Sequence, residues 1–295
     1  MVEDEKTIEE NWDEPIDYPY ISSRNIMFRV IEYIDGRYKS PDEDVLKTDF
    51  HFLSFQKDDL VVLAARPAIG KTAFVLSLAN QLILKKKIPV GFVAPVWSEE
   101  DIGMSLLAIE TGVSIPKIRH GMLKVDDFRK IQECAVQYFE APFYLFNEPN
   151  CSFKAIKRTA INMAMENHIQ LLIVDGFEYL QEMIDSEENH YRIKLTYLLS
   201  EFKRLAIELH IPVILVMEMP KTKHYYEPTL WDFRRYMIIP DRADKVLFLH
   251  RDRLQAYTKS QDAKLIVAKN NCGPTGDIDL EFYPDIVKFS WKQTY

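Results

Sequence analysis

The stretch Leu60-Val61-Val62-Leu63-Ala64-Ala65-Arg66-Pro67-Ala68-Ile69-Gly70-Lys71-Thr72-Ala73-Phe74-Val75-Leu76-Ser77-Leu78-Ala79-Asn80 decides the fold. It begins with an unbroken apolar run of the length of a buried parallel strand and ends with apolar residues at helical spacing. Between them a tight turn closes on Gly-Lys-Thr. Strand, loop and helix in this order read as a phosphate-binding loop, whose backbone N–H groups and helix N-terminus present partial positive charge to an anion. In that reading Ala65, Arg66, Pro67, Ala68, Ile69, Gly70, Lys71 and Thr72 cradle ATP. Lys71 reaches the β- and γ-phosphates, and the Thr72 hydroxyl ligates Mg²⁺. One position departs from G-x-x-x-x-G-K-[ST]: Ala65 stands where the first glycine is usual. The plain alternative is a strand-to-helix turn that carries Gly-Lys-Thr by coincidence, and the flanking strand and helix argue against it.

Around this stretch the composition is that of an ordinary globular chain, 295 residues with 47% hydrophobic and 28% charged. That length suffices for one large α/β domain or two smaller ones. No apolar run approaches the ~20 residues of a membrane span, so no membrane partner is expected, and the acidic N-terminus speaks against a signal peptide. Cys134, Cys151 and Cys272 lack metal-ligand spacing and read as reduced thiols of a cytoplasmic protein. Of the net charge of −8, residues 1–20 carry −7, with eight acidic side chains and one lysine. The body is therefore near neutral, which argues neither for nor against a polyanionic partner.

Taken in order, residues 1–20 are an acidic arm, read as a solvated tail against the alternative of a docking segment for a basic surface. Residues 21–45 hold a short amphipathic helix with Ile26, Met27, Val30, Ile31 and Ile34 on one side, then a Pro/Asp/Glu-rich connection. Residues 46–295 alternate apolar runs with helical stretches. Runs at 90–94, 143–146, 171–174, 213–216, 245–249 and 264–268 read as strands. Helices are expected near 99–110, 126–139, 153–167 and 190–210, the last with Leu195, Leu198, Leu199, Phe202, Leu205, Ala206 and Leu209 on one core-facing stripe. The alternation predicts a mostly parallel sheet covered by helices on both faces, closed by an antiparallel hairpin over 279–291. Asp175 ends the apolar run Leu171-Leu172-Ile173-Val174, where a carboxylate meets Mg²⁺ through its water shell. Alone it would read as a turn aspartate; after the phosphate loop it becomes the metal-side residue.

The order and wording of these motifs resemble the C-terminal, RecA-like motor domain of the DnaB-type replicative DNA helicases. The likeness begins with Asp59 to Thr72 and continues through Leu171–Asp175, Leu205 to Ile214 and Asp232-Phe233-Arg234. It then takes in Ala243 to Asp252, Ala268-Lys269 and Gly273-Pro274-Thr275-Gly276, covering roughly residues 45–290 in a consistent order. In that family alanine at position 65 is also normal. The resemblance implies ATP and Mg²⁺ as cofactors, single-stranded DNA as a partner and a homo-oligomeric ring. Lys71 and Asp175 take catalytic roles, with Lys269 reaching across the subunit interface. The helix near 24–36 resembles the linker helix that packs on a neighbouring subunit. About 55 residues precede the motor, so no counterpart of the family's primase-engaging N-terminal domain is expected.

Several family features are changed. The glutamate that polarises the attacking water falls on Val96, and the arginine-finger position is Asn271. The Ser-Gln sensor is Met217-Glu218, and the glycine of the DNA loop is lost from Arg234-Arg235-Tyr236-Met237. Ser98 to Asp101 keep the look of a capped helix start, so Glu99 and Glu100 are poor substitutes for the missing base. Glu178 is the one rescue candidate, against the reading of a surface-loop glutamate. Losing both base and finger, the latter worth ~10³–10⁵ in rate, implies weak or absent hydrolysis. For DNA contact the candidates are Lys221 and Lys223, beside Tyr225 and Tyr226 on a predicted loop, with Arg234 and Arg235. Lys85, Lys86 and Lys87 read as a solvated helix end. The leading expectation is a DnaB-like motor domain. The alternative is a non-hydrolysing paralogue that serves as loader, cap or regulator of a true replicative helicase. A monomeric phosphate-loop kinase is the third, weakened by the lack of any lid or acceptor-site pattern.

Overall fold

The computed structural model describes residues 21–39, 44–50, 53–184, 188–219, 226–234, 237–251 and 260–292. The acidic arm and the loop residues Lys221, Lys223 and Arg235 lie outside these. The chain divides into two units, residues 1–44 and 45–295. In the first, helix α1 (Ser23–Lys39) starts with the Ser22 hydroxyl accepting from the Asn25 N–H at 3.3 Å. Its apolar residues, Ile26, Met27, Phe28, Val30, Ile31 and Ile34 among them, are exposed.

In the second unit, a small antiparallel pair, β1 (Val45–Lys47) and β2 (Ser54–Gln56), leads into β3 (Leu60–Ala65). The chain continues through α2 (Lys71–Lys85), β4 (Val90–Val93), α3 (Glu99–Thr111), α4 (Ile115–Arg119), α5 (Val125–Phe139) and β5 (Phe143–Phe146). Then come α6 (Phe153–Asn167), β6 (Leu171–Asp175), α7 (Gln181–Ile184), α8 (Glu188–Leu209) and β7 (Val213–Glu218). It closes with α9 (Ile238–Arg242), β8 (Lys245–Arg251), β9 (Gln261–Asn270), β10 (Gly276–Tyr283) and β11 (Lys288–Trp291). Among the described residues β3 to β11 form one sheet in the order β11-β10-β9-β8-β3-β7-β6-β4-β5. The strands from β5 to β8 are parallel; β9, β10 and β11 extend the β8 side antiparallel.

The strand β9 is one place where the sheet departs from a simple continuation of the series. It contains the 264–268 run but turns back along β8, because the nine residues 252–260 are too few for a helical crossover. The expected hairpin is present as β10 and β11, with Phe282 opposite Phe289.

The central strands read as solid apolar runs because both of their faces are covered. Val61, Leu63 and Ala65 point into one core with Phe74, Leu78 and Leu82 of α2, while Leu60, Val62 and Ala64 point into the other. That second core holds Leu195, Leu198, Leu199, Phe202, Leu205 and Ala206 of the predicted α8 stripe, all fully buried, with the last of the stripe, Leu209, half-buried against it. Alternation along β3 therefore builds two layers from one strand. The expected capped start of α3 is present: the Ser98 hydroxyl accepts from the Asp101 N–H, with Glu99, Glu100 and Asp101 in the first turn.

Cys134 and Cys151 are buried and Cys272 is exposed. Burial pushes the thiols of both Cys134 and Cys151 up to about 11. Titration of the native protein with an aromatic disulfide reagent near pH 8 is therefore expected to show one fast thiol, Cys272, and two that react only on denaturation. Fast labelling of two or more thiols would mean that α5 or the segment around Cys151 opens readily.

Candidate functional site

All parallel strands deliver their C-terminal ends to one edge, where an open α/β sheet places its ligand. Four segments meet there: the loop after β3, the turn after β4, and the ends of β6 and β7. Pairing fixes the alignment, since Ala65 lies opposite Glu218 and Val174 opposite Leu215. The loop turns sharply at Ala68 (φ 59°) and Gly70 (φ 108°) before α2 begins at Lys71. Gly70 is required twice over. Its φ is one that L side chains rarely adopt, and a Cβ there would stand 3.1 Å from the Phe289 ring. No side chain caps α2, so its first N–H groups face the cavity with the helix dipole behind them.

The Thr72 Oγ1 donates a hydrogen bond to Asp175 Oδ2 at 2.6 Å, joining the start of α2 to the end of β6. Lys71 Nζ stands 3.7 Å from Glu218 Oε2. Burial pushes the Asp175 carboxyl above the usual range, opposed by the Thr72 hydroxyl, the Lys71 charge and a hydrogen bond with Trp97. Glu178, on the turn after β6, lines the cavity wall rather than an outer loop. Its carboxylate accepts from the Glu218 N–H, and burial raises its pKa as well, against that bond and the Lys71 charge. The cavity encloses about 440 Å³ and is also lined by Asp101, Arg119, Tyr179, Arg251 and Phe282. A hydroxyl, a buried carboxylate, a lysine and a glycine turn at a helix start are the donor set that a magnesium–phosphate group needs.

The sequence-derived residues separate into those brought to this cavity and those that are not. Ala68, Gly70, Lys71, Thr72 and Asp175 line it; Ala65 is the buried strand end. Arg66 points away from it and is 5% exposed. Its guanidinium donates to the Tyr226 carbonyl at 2.7 Å, packs over the Tyr226 ring and stands 4.0 Å from Asp232. Lys269 is not among the lining residues. Its ammonium donates to the carbonyls of Pro240 and Ala243, both at 2.7 Å, at the end of α9. Asn271 pairs with Asp244. Arg234 is exposed just after a short helical turn at 230–233. Val96, at the end of the β4 side, is 48% exposed and brings no polar atom.

Arg251 is the residue that motif reading missed. Its guanidinium donates to the carbonyls of Ala68 (3.1 Å) and Ile69 (3.3 Å) and lies over the Phe282 ring at 4.5 Å. With these carbonyls turned toward an arginine, the loop's N–H groups are left to face the ligand. The available signal was its place at the end of β8, parallel to and beside β3.

Comparison with known proteins bears on the fold and the family. The family model of the DnaB-like helicase C-terminal domain matches residues 44–291. Among curated relatives, the replicative DNA helicase DnaB of Treponema pallidum is 31% identical over 276 residues, 91% of this chain and 61% of that protein. The Geobacillus stearothermophilus DnaB is 28% identical over 242 residues, 80% of this chain and 53% of that protein. The chain thus spans little more than half the length of these relatives. Among solved structures, one isolated ATPase domain superposes with a TM-score of 0.80 at 19% identity, covering 90% of this chain and 99% of that one. A DnaB-like replicative helicase studied for its interactions with primase gives 0.76 at 20% identity, over 88% of this chain and 65% of that one. Both show the fold. The chain belongs to the DnaB-like helicase C-terminal domain family.

Proposed function

We propose that this chain is the nucleotide-binding motor domain of a DnaB-like replicative helicase, forming a ring of identical subunits on single-stranded DNA in the cytoplasm and turning ATP over slowly. The observation that carries the reading is the Thr72–Asp175 hydrogen bond beside Lys71 at the mouth of the glycine turn. Thr72 and Asp175 would hold Mg²⁺, Lys71 the phosphates, and the N–H groups of 70–72 the phosphate oxygens. Bound there, the metal supplies charge neutralisation at the phosphates; the chain supplies orientation and a partly dry wall. The relatives' names support DNA replication as the setting. Described helices long and apolar enough to cross a membrane are absent. In this reading residues 1–20 are an acidic arm, 21–45 a linker helix and connection that packs on the adjacent subunit, and 46–295 the motor. Lys221, Lys223, Arg234 and Arg235 are the residues that would contact the DNA backbone in this reading.

Slow turnover follows from what surrounds the phosphate position. Val96 offers no carboxylate, the Glu178 carboxylate is taken up by the Glu218 N–H, Asn271 brings no charge, and Lys269 is tied to carbonyls of its own subunit. The same observations favour a second reading, a non-hydrolysing paralogue that loads, caps or regulates a true helicase. Steady-state ATP hydrolysis with and without single-stranded DNA, together with the mass of the nucleotide-bound assembly, tests both. The expected result is a ring whose turnover stays well below the ~1–10³ s⁻¹ of typical enzymes. Strong DNA stimulation into that range would overturn slow hydrolysis. A monomer that ignores DNA would move the assignment to the loader.

A further inference from the structure

We infer that Glu218 is a specificity-determining residue of this cavity, which neutralises Lys71 and so makes the site favour a nucleoside diphosphate over a triphosphate. The inference rests on the nucleotide-site reading above and adds the selectivity of that site. Glu218 is the last residue of β7, opposite Ala65, and the next residue keeps the alignment: the Met219 N–H donates to the Ala65 carbonyl at 2.9 Å. The Glu218 side chain therefore leaves the sheet edge beside the loop. Its Oε2 reaches to 3.7 Å from Lys71 Nζ, and its own N–H is held by the Glu178 carboxylate. The backbone is fixed on both sides while the carboxylate, 42% exposed, sits at the cavity opening.

The balance of charge around the cavity sets the consequence. Lys71 faces three carboxylates, those of Asp175, Glu178 and Glu218. The other two cations on the wall have other anchors. Arg119 bridges Asp101 at 2.6 Å, and Arg251 serves the loop carbonyls and Gln261. A phosphate drawn to Lys71 must displace or share it with Glu218. A diphosphate needs this once, at its terminal phosphate. A triphosphate brings at least one more negative charge to the stretch between Lys71 and the β7 end, where Glu218 and Glu178 already stand. Mg²⁺ accompanies both nucleotides and so leaves the difference in place.

The experiment measures the affinities of wild type and Glu218→Gln for Mg·ADP and for a Mg-bound non-hydrolysable ATP analogue, by calorimetry at low salt. Wild type is expected to bind the diphosphate more tightly. Glu218→Gln is expected to tighten the triphosphate analogue by about tenfold and to change the diphosphate by less than about threefold, because the variant keeps the N–H and the shape and removes only charge. Equal changes for both nucleotides, or none, would overturn the proposal while leaving the nucleotide site standing. Failure of wild type to bind either would overturn the nucleotide-site reading and the proposal with it. Coincident thermal unfolding curves for the two proteins establish that the comparison concerns the site alone.

Discussion

Lys71→Ala is expected to weaken nucleotide binding by about a hundredfold and to abolish whatever ATP turnover the wild type shows. The ammonium is the cation aimed into the glycine turn, and a hydrogen bond from a charged donor to a phosphate is worth about 1.5–3 kcal/mol. Its usual companions do not replace it. Arg251 is engaged with the carbonyls of Ala68 and Ile69, and Arg119 with Asp101. The substitution falls at the first residue of α2, where the side chain is 16% exposed and not part of either core, so the fold is expected to survive. Fluorescence titration with a labelled nucleotide checks the affinity, and circular dichroism checks the fold. Retained binding in a folded variant would place the nucleotide elsewhere or hold it by the loop N–H groups alone.

How far this site was legible in the sequence depends on the range of each interaction. The loop from Ala65 to Thr72 could be read because strand, turn and helix are local signals carried by consecutive residues. Asp175 could be read because the apolar run before it sets its place at a strand end, and the Thr72–Asp175 bond joins the two predicted elements. The α8 stripe was visible for the same reason. What stayed hidden depends on strand order. Glu218 meets Lys71, and Arg251 meets the loop, only because β7 and β8 flank β3 on its two sides. No periodicity encodes which strands become neighbours. Glu178 shows the same limit: its place beside the Glu218 N–H turns a loop glutamate into a cavity wall. The β1–β2 pair escaped notice because its strands are three residues each, too short for an alternating pattern to stand out. Lys269 illustrates the converse, a motif position whose ammonium instead ties β9 to the carbonyls of Pro240 and Ala243 at the end of α9.

The largest loss of stability is expected from Lys245→Ala, at the opposite end of the same strand system. Asp59 precedes β3 and Lys245 opens β8; their side chains are 5% and 3% exposed and form a buried ion pair. Asp59 also accepts the Gln56 N–H at 2.7 Å, and the neighbouring Asp244 accepts the Leu60 N–H at 2.7 Å and pairs with Lys203 at 2.7 Å. The stretch Ala243-Asp244-Lys245, prominent in the family resemblance, therefore ties the starts of β3 and β8 together rather than touching the cavity. Removing the lysine leaves the Asp59 carboxylate buried without its counter-charge, which costs about 3–5 kcal/mol. For a domain of this size that lowers the melting temperature by roughly 6–20 °C. Replacing both partners with apolar residues is expected to recover much of the loss, because the desolvation of two charges then disappears along with their attraction. The recovery stays incomplete, since the Gln56 N–H loses its acceptor. The pair lies about 20 Å, the length of a six-residue strand, from the glycine turn, so nucleotide affinity measured well below the transition should not change. A drop of less than about 3 °C for Lys245→Ala would mean that water enters this end of the sheet and that the pair is screened as a surface bridge is.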